Sequence, residues 1–146
     1  MSYSPDQLAD LIAEMVGKLD TVIDSGLLGA TYDIAFRFMS SPDPSEVVDF
    51  CVVATAFTLK AGMPGSVGFV HTVPVANYVL TLRVGGSLSP TTGTAVGTVT
   101  ISPAGVFTFA TAGSGDTIIP AGSLIKLVAP ATIDVGISGL AFTIKA

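Results

Sequence analysis

The spacing of apolar residues changes near residue 31, and this change constrains the fold more than any other feature of the chain. Before it, apolar side chains recur every three or four positions, which is typical of one face of an α-helix. After it, apolar and polar residues alternate in short runs separated by Gly, Pro and Ser, which is typical of strands and turns. We therefore predict an N-terminal attachment helix with a hinge over residues 1–30 and a β-sandwich domain over residues 31–146.

The predicted helix begins with a complete capping signature. Ser4 suits the N-cap, Pro5 suits the first helical position, and Gln7 can return a hydrogen bond to the backbone of Ser4. The helix is expected over residues 5–24, and Ser25-Gly26 is expected to cap its end. Its apolar face, which we interpret as an attachment face, carries Leu8, Leu11, Ile12, Met15, Leu19 and Val22.

This apolar face needs a partner, because a single amphipathic helix is only marginally stable in water. Leu8, Met15 and Val22 are seven residues apart, so the face suits a parallel bundle with other copies of the chain or insertion into a host protein. Packing against its own β-domain is the alternative. Attachment is favoured, because the β-domain has enough strands to close its own core.

Eight or nine short strands are predicted after the helix, and no helical pattern interrupts them. The expected strands cover residues 32–38, 46–60, 66–73, 77–84, 95–101, 106–111, 123–128 and 137–145. The second strand is expected to bend near Ala54, and the segments 97–101 and 106–109 are expected to form a hairpin. The number and spacing predict a mainly β protein with a jelly-roll-like antiparallel β-sandwich. An up-and-down barrel is the alternative.

Charge is scarce and unevenly distributed. Charged residues make up 12% of the chain, about half the roughly 25% usual for a soluble domain, and the net charge is −5. The chain has no basic cluster, so a nucleic acid partner is not expected. It also has no continuous apolar stretch long enough for membrane insertion. A surface so poor in charge predicts that copies of the chain cover part of it, and we expect a homotrimer.

Residues suited to catalysis or metal binding are few. His71 and Cys51 are the only residues of their kinds, and Asp116 and Asp134 are the only acidic residues after residue 50. We interpret them as strand and turn residues, because no motif joins a nucleophile to a base. Residues 41–46 offer oxygen atoms to a calcium ion, but an ordinary turn explains them better. The sequence therefore predicts a protein that is not an enzyme, with no catalytic, cofactor-binding or metal site.

Several strand-and-turn segments of the β-domain share a pattern with a known family. They are Tyr32–Phe36, Pro42–Val48, Ala56–Gly62, Gly97–Ile101, Phe107–Thr111, Ile119–Ala131 and Ile137–Ile144. Together they resemble the short tail fibre domains of tailed bacteriophages over residues 31–146. The resemblance implies a virion structural protein whose C-terminal β-sandwich trimerises on a tail or baseplate.

The predicted function is therefore that of a short tail fibre located in the virion. Its helix would attach to other virion proteins of the tail or baseplate, and its trimeric β-sandwich would contact the host surface. A trimeric capsid decoration protein, whose N-terminal segment would bind shell proteins, is the alternative. A free carbohydrate-binding module is less favoured, because the chain has no Trp and only three Tyr for stacking on sugar rings.

Residues 85–93, Gly-Gly-Ser-Leu-Ser-Pro-Thr-Thr-Gly, are the best candidate for a binding loop. Small hydroxylated side chains offer adaptable hydrogen bonds without a catalytic group, and recognition commonly lies on loops carried by a rigid scaffold. A solvated hairpin loop is the alternative interpretation. The predicted receptor-contact residues are Ser87, Ser89, Thr91 and Thr92, and the expected ligand is a glycan of the host surface.

Overall fold

The computed structural model describes the backbone of residues 2–24 and 33–146, and the side chains of residues 2–19 and 33–146. The chain divides into two units, residues 1–31 and 32–146. The described residues form one helix, α1 (Pro5–Asp24), and ten strands: β1 (Asp33–Phe38), β2 (Val47–Val52), β3 (Phe57–Leu59), β4 (Val67–Thr72), β5 (Tyr78–Val84), β6 (Thr94–Ile101), β7 (Phe107–Thr111), β8 (Thr117–Ile119), β9 (Leu124–Val128) and β10 (Ser138–Lys145).

Helix α1 begins with the predicted reciprocal cap. The Ser4 N–H donates to Gln7 Oε1 at 2.9 Å, and the Gln7 N–H donates to Ser4 Oγ at 3.3 Å. These bonds satisfy two backbone donors that would lack partners at a helix start. The predicted helix over residues 5–24 is confirmed. The predicted cap at Ser25-Gly26 lies outside the described residues.

The strands form three antiparallel sheets. Sheet A has the order β1-β10-β4, sheet B has the order β2-β9-β5-β6-β7, and sheet C consists of β3 and β8. Pairing is nested along the chain: β1 pairs with β10, β2 with β9, β3 with β8, and β5 with β6, while β4 contacts β7. Residues 33–145 therefore form one long hairpin rolled into a sandwich. This arrangement is jelly-roll-like, as predicted, and is not an up-and-down barrel, which would pair successive strands throughout.

One hydrophobic core joins sheets A and B. Phe36 of β1 and Phe142 of β10 come from sheet A, and Leu80, Val99 and Leu127 come from sheet B. Phe107 and Phe109 of β7 pack against the same core. The alternation expected of strands after residue 31 is present along β5, because Tyr78, Leu80 and Leu82 are buried while the residues between them are not. The predicted hairpin of β6 and β7 is confirmed as well.

The prediction of a bend near Ala54 is confirmed, but the prediction of a single strand over residues 46–60 is wrong. The segment forms β2 in sheet B and β3 in sheet C. Between them, the Val53 N–H donates to the Ser123 carbonyl at 2.9 Å, and the Val53 carbonyl accepts from the Gly122 N–H at 2.7 Å. These bonds hold buried Val53 at the point where the chain leaves sheet B. Strand β8 was not predicted, because its three residues between Asp116 and Pro120 are too few to show a pattern.

We expect Tyr78 to make the stability of the fold depend on alkaline pH. Its side chain is 3% exposed, and burial together with the carboxylates of Asp134 and Glu46 raises the pKa of Tyr78 to about 12. The unfolded chain loses this proton near pH 10, whereas the folded chain keeps it. The free energy of unfolding should therefore fall by about 1.4 kcal/mol per pH unit between about pH 10 and about pH 12.

Urea unfolding over this pH range, compared between the wild type and Tyr78→Phe, measures this effect. The variant should show a shallower fall, because it removes the titrating phenol and retains the ring. Equal slopes for the two proteins would show that Tyr78 ionises as readily in the folded chain as in the unfolded chain.

Candidate functional site

Residues 85–93 form the turn of the long hairpin, between β5 and β6. Gly85, Gly86 and Gly93 adopt positive φ angles of 80°, 73° and 79°, which residues other than glycine rarely adopt. A Cβ atom on Gly93 would lie 2.4 Å from the Gly85 carbonyl oxygen, so the two ends of the loop approach each other closely. Residues 86–89 and Thr91 are exposed.

A fully buried lysine lies beneath this loop. In β9, Ile125 and Leu127 belong to the core, so Lys126 between them extends from the opposite face of sheet B. Lys126 Nζ donates to the Ser87 carbonyl, to the Ser89 carbonyl at 2.5 Å, and to Thr92 Oγ1 at 2.8 Å. All three donors of an ammonium group are thereby used, and the loop covers the side chain.

Arg83 holds the other end of the loop. Its Nε donates to the Thr92 carbonyl at 3.1 Å, and its Nη2 donates to the Thr91 and Gly93 carbonyls at 3.2 and 2.9 Å. Arg83 of β5 is the direct cross-strand partner of Lys126 in β9. Like charges in this position are unfavourable unless other groups compensate them. Five backbone carbonyl oxygens of the loop provide that compensation.

The electrostatics of the pair follow from this geometry. Desolvation and the neighbouring Arg83 guanidinium lower the pKa of Lys126. The three surrounding oxygens act in the opposite direction, because only the charged ammonium form can donate to all of them. Neither Lys126 nor Arg83 forms an ion pair with a carboxylate in the part of the chain that the structure describes.

The four predicted receptor-contact residues lie together in this loop, with different surroundings. Thr92 is half-buried, and its Oγ1 accepts from Lys126 Nζ and from the Ser87 N–H. Ser87 Oγ accepts from the Ser89 N–H at 3.3 Å. Ser89 Oγ and Thr91 Oγ1 are exposed and lie 3.2 Å apart. Thr92 therefore supports the loop from within, whereas Ser87, Ser89 and Thr91 lie at its surface.

Neither Lys126 nor Arg83 was expected at this site from the sequence. One signal was available, because Lys126 is the only charged residue in the apolar segment Leu124–Val128. The alternation of β5 also placed Arg83 on the face away from the core. What the sequence did not indicate is that the loop folds over both side chains.

The predicted attachment face of α1 is apolar and exposed. The side chains of Leu8, Leu11, Ile12, Met15 and Leu19 are 40–62% exposed. The side chain of Val22 lies outside the described residues. An exposed ion pair between Glu14 and Lys18, 2.7 Å long, borders this apolar face.

The outer face of sheet A is a second exposed apolar surface. Val67 and Phe69 of β4 are 66% and 65% exposed. They line a groove of about 620 Å³, together with Ala141 of the central strand β10 and with Arg37 and Asp49 at its polar end. The groove exists because β10 presents small residues between the larger side chains of its neighbours.

The two acidic residues considered for catalysis lie in loops between strands. Asp116 accepts from the Ala61 N–H and from Lys60 Nζ, each at 2.9 Å, and these contacts lower the pKa of Asp116. Asp134 accepts from the Val75 N–H at 2.8 Å. Both carboxylates therefore tie together segments distant in the sequence.

The other candidate groups have ordinary surroundings. His71 is exposed on β4, and half-buried Cys51 packs against the core, where burial and Asp49 raise the pKa of its thiol. Glu46 accepts from the Asp43 N–H at 2.8 Å and closes a turn. No group of three or more His, Cys, Asp or Glu residues in the described ranges could hold a metal ion. Among the described residues, no helix has the length and apolar character needed to cross a membrane.

Comparison of the chain with known protein families, with curated proteins and with solved structures gave no match.

Proposed function

We propose that this protein is a non-enzymatic structural protein of a bacteriophage virion, a short tail fibre. Helix α1 attaches it to the tail or baseplate, and a trimer of the β-domain contacts the host surface. The proposal draws on the resemblance over residues 31–146. The structural observation that supports it best is the combination of a β-domain with its own closed core and a capped helix with an exposed apolar face.

The exposed face of α1 supports attachment. Burying apolar surface contributes about 25 cal/mol per Å², so five half-exposed apolar side chains favour association with another surface. The acidic residues Asp10 and Glu14 lie on the other side of the helix, where they remain solvated. A helix with this division is suited to insertion between other helices or into a groove.

Strand β4 supports association between copies of the β-domain. It lies at the edge of sheet A, and its residues Val67–Thr72 include no Lys, Pro or acidic residue. Edge strands of soluble proteins are normally protected by such residues, because an open edge can pair with another chain. An uncharged edge beside the apolar groove favours coverage by a second copy.

Imaging of intact particles tests the location of the protein. An epitope tag inserted between Gly113 and Gly115, where an added Cβ at either glycine meets no atom within 4 Å, should leave the fold intact. Gold-labelled antibody should bind at the tail or baseplate. Label distributed over the shell would instead identify a capsid decoration protein, and particles without label would overturn both assignments.

The helix should be needed for incorporation into particles but not for folding of the β-domain. Leu19→Asp places a charge within the apolar face, whereas the control Ala13→Asp adds the same charge on the polar side. Leu19→Asp should reduce incorporation to background, and Ala13→Asp should incorporate normally. Melting of the β-domain should be unchanged in both. A lower melting temperature in Leu19→Asp would show that α1 belongs to the core.

Light scattering coupled to size exclusion should report three chains for the purified protein. A monodisperse monomer at micromolar concentration would contradict the proposed trimer.

A further inference from the structure

Loop 85–93 is electrically neutral in sequence, yet it lies directly over two cations. We propose that this loop binds an anionic saccharide, meaning a sugar that carries a phosphate or carboxylate group, and that Lys126 and Arg83 are the positioning residues that hold it ready. This inference rests on the proposed function insofar as it names the ligand class of the host-contact loop.

The positive charge at this loop is not neutralised by a carboxylate. Lys126 and Arg83 are direct cross-strand partners, and neither forms an ion pair in the ranges that the structure describes. Residues 85–93 contain no ionisable side chain. Because Lys126 is buried, its charge is screened less by salt than that of a surface lysine. The field at the loop surface therefore favours an anion.

The orientation of the backbone of this loop also favours an anion at its surface. The carbonyls of Ser87, Ser89, Thr91, Thr92 and Gly93 are directed inward to the two cations. In a trans peptide the N–H points away from the C=O of the same unit, so the inward carbonyl of Ser87 turns the following N–H outward.

Two backbone N–H groups in the exposed part of the loop are available to donate hydrogen bonds to a ligand. The N–H groups of Gly86 and Leu88 donate to no acceptor within the described part of the chain. Concave backbone segments with such free amides are known to bind anions. The loop thus offers donors at its surface as well as charge beneath it.

The side chains at the surface indicate a sugar rather than a simple anion. The exposed hydroxyls of Ser89 and Thr91, 3.2 Å apart, can each donate and accept, which matches the hydroxyl groups of a saccharide. Leu88 is 49% exposed beside them and offers an apolar surface to the carbon face of a sugar ring. Hydroxyl groups, an apolar side chain and free backbone N–H groups thus lie on one nine-residue segment above the two cations.

The loop is also held in one conformation before any ligand arrives. Lys126 and Arg83 each donate three hydrogen bonds to it. A preorganised loop avoids the entropic cost of ordering on binding. These two residues therefore act from beneath the loop, and the ligand itself contacts the backbone amides and the hydroxyls.

Amide chemical shifts of the full-length protein test the ligand class. The probes are glucose 6-phosphate, glucuronate and glucose. Both anionic probes should shift the amides of residues 86–93, increasingly weakly as salt is added, and glucose should not. Equal shifts with glucose would overturn the anionic preference, and shifts confined to other residues would overturn the site. The two anionic probes show whether phosphate or carboxylate binds more tightly.

One substitution at Arg83 and one at Lys145 distinguish the effect of charge beneath the loop on binding from the effect of the net charge of the protein. Arg83→Gln should weaken glucose 6-phosphate binding about tenfold, a change comparable to the loss of one charge-assisted contact. Lys145→Gln removes one positive charge from an exposed position at the end of β10 and should leave binding unchanged. Equal weakening by both variants would indicate nonspecific attraction and overturn the site.

Chemical rescue tests the role of Lys126. Lys126→Ala leaves three oxygen atoms without their donor, so residues 86–93 should exchange amide hydrogens faster and lose probe binding. Added propylammonium should restore both, because it returns an ammonium group to the cavity. Lys126→Arg should not restore them, since a planar guanidinium does not match oxygens arranged around a point charge. Wild-type exchange and binding in Lys126→Ala would overturn the positioning role.

Adsorption to host cells of particles that carry Arg83→Gln distinguishes the proposed anion site from the proposed role of the loop in host contact. Lost probe binding with normal adsorption would exclude the loop from host contact while the anion site stands. Lost probe binding with reduced adsorption supports both.

Discussion

Replacing Phe142 by alanine should destabilise the β-domain by about 3–5 kcal/mol. Phe142 is 3% exposed in β10, the central strand of sheet A. Its ring centroid lies 5.5 Å from that of Phe36, 6.1 Å from that of Phe109 and 6.4 Å from that of Phe107. These rings come from both sheets, so truncation removes contacts across the whole thickness of the sandwich and leaves a cavity.

Urea unfolding followed by circular dichroism measures this loss. Thr143→Ala is the matched control, because Thr143 follows Phe142 in the same strand and lines the outer groove. The control should change the free energy of unfolding by less than about 0.5 kcal/mol. Similar losses for the two variants would show that the aromatic cluster does not hold the sheets together.

Gly93→Ala should cost about 2–4 kcal/mol, a large effect for the addition of one methyl group. Gly93 has a φ of 79°, and an added Cβ would lie 2.4 Å from the Gly85 carbonyl oxygen and 2.7 Å from that of Val84. Both neighbours are backbone atoms, so they cannot rotate away. The change also displaces the Gly93 carbonyl from Arg83, so the conformation of loop 85–93 should be lost as well.

Thermal melting and amide spectra of Gly93→Ala would show the two effects separately. Gly113→Ala is the control, because a Cβ at Gly113 meets no atom within 4 Å. We expect Gly113→Ala to melt as the wild type does. Wild-type melting and an unchanged loop in Gly93→Ala would contradict the requirement for glycine at this position.

The features predicted correctly from the sequence are those that depend on neighbouring residues. The cap of α1 involves residues three apart, and the alternation of Tyr78, Leu80 and Leu82 is visible within β5. The bend near Ala54 was also expected, but the division of this segment between two sheets was not, because the partners of Val53 are nearly seventy residues away in the chain. Strand β8 depends on β3 in the same manner. The spacing of apolar and polar residues within one segment does not indicate such long-range pairings.

The candidate site shows the same limit. The glycine and hydroxyl content of residues 85–93 identified the loop, but the buried cation beneath it is 37 residues from Ser89. On sequence alone, a lysine on the outward face of a strand is expected to be solvated. Only the folding of the loop over sheet B buries Lys126 and converts an ordinary surface position into an internal support.

The nested pairing of the strands has a consequence for synthesis of the chain. Strand β1 is translated first of the ten, yet its hydrogen-bonding neighbour β10 is translated last. Residues 138–145 must therefore leave the ribosome before sheet A can be completed. The hairpin of β5 and β6 forms when one short loop closes. The pairs that flank it in the sequence, such as β2 with β9 and β1 with β10, close successively longer segments of chain, and the entropic cost of closure rises only slowly with that length. We expect the nascent chain to fold from its middle outward, and edge strand β4 lacks its partner in sheet A until β10 arrives.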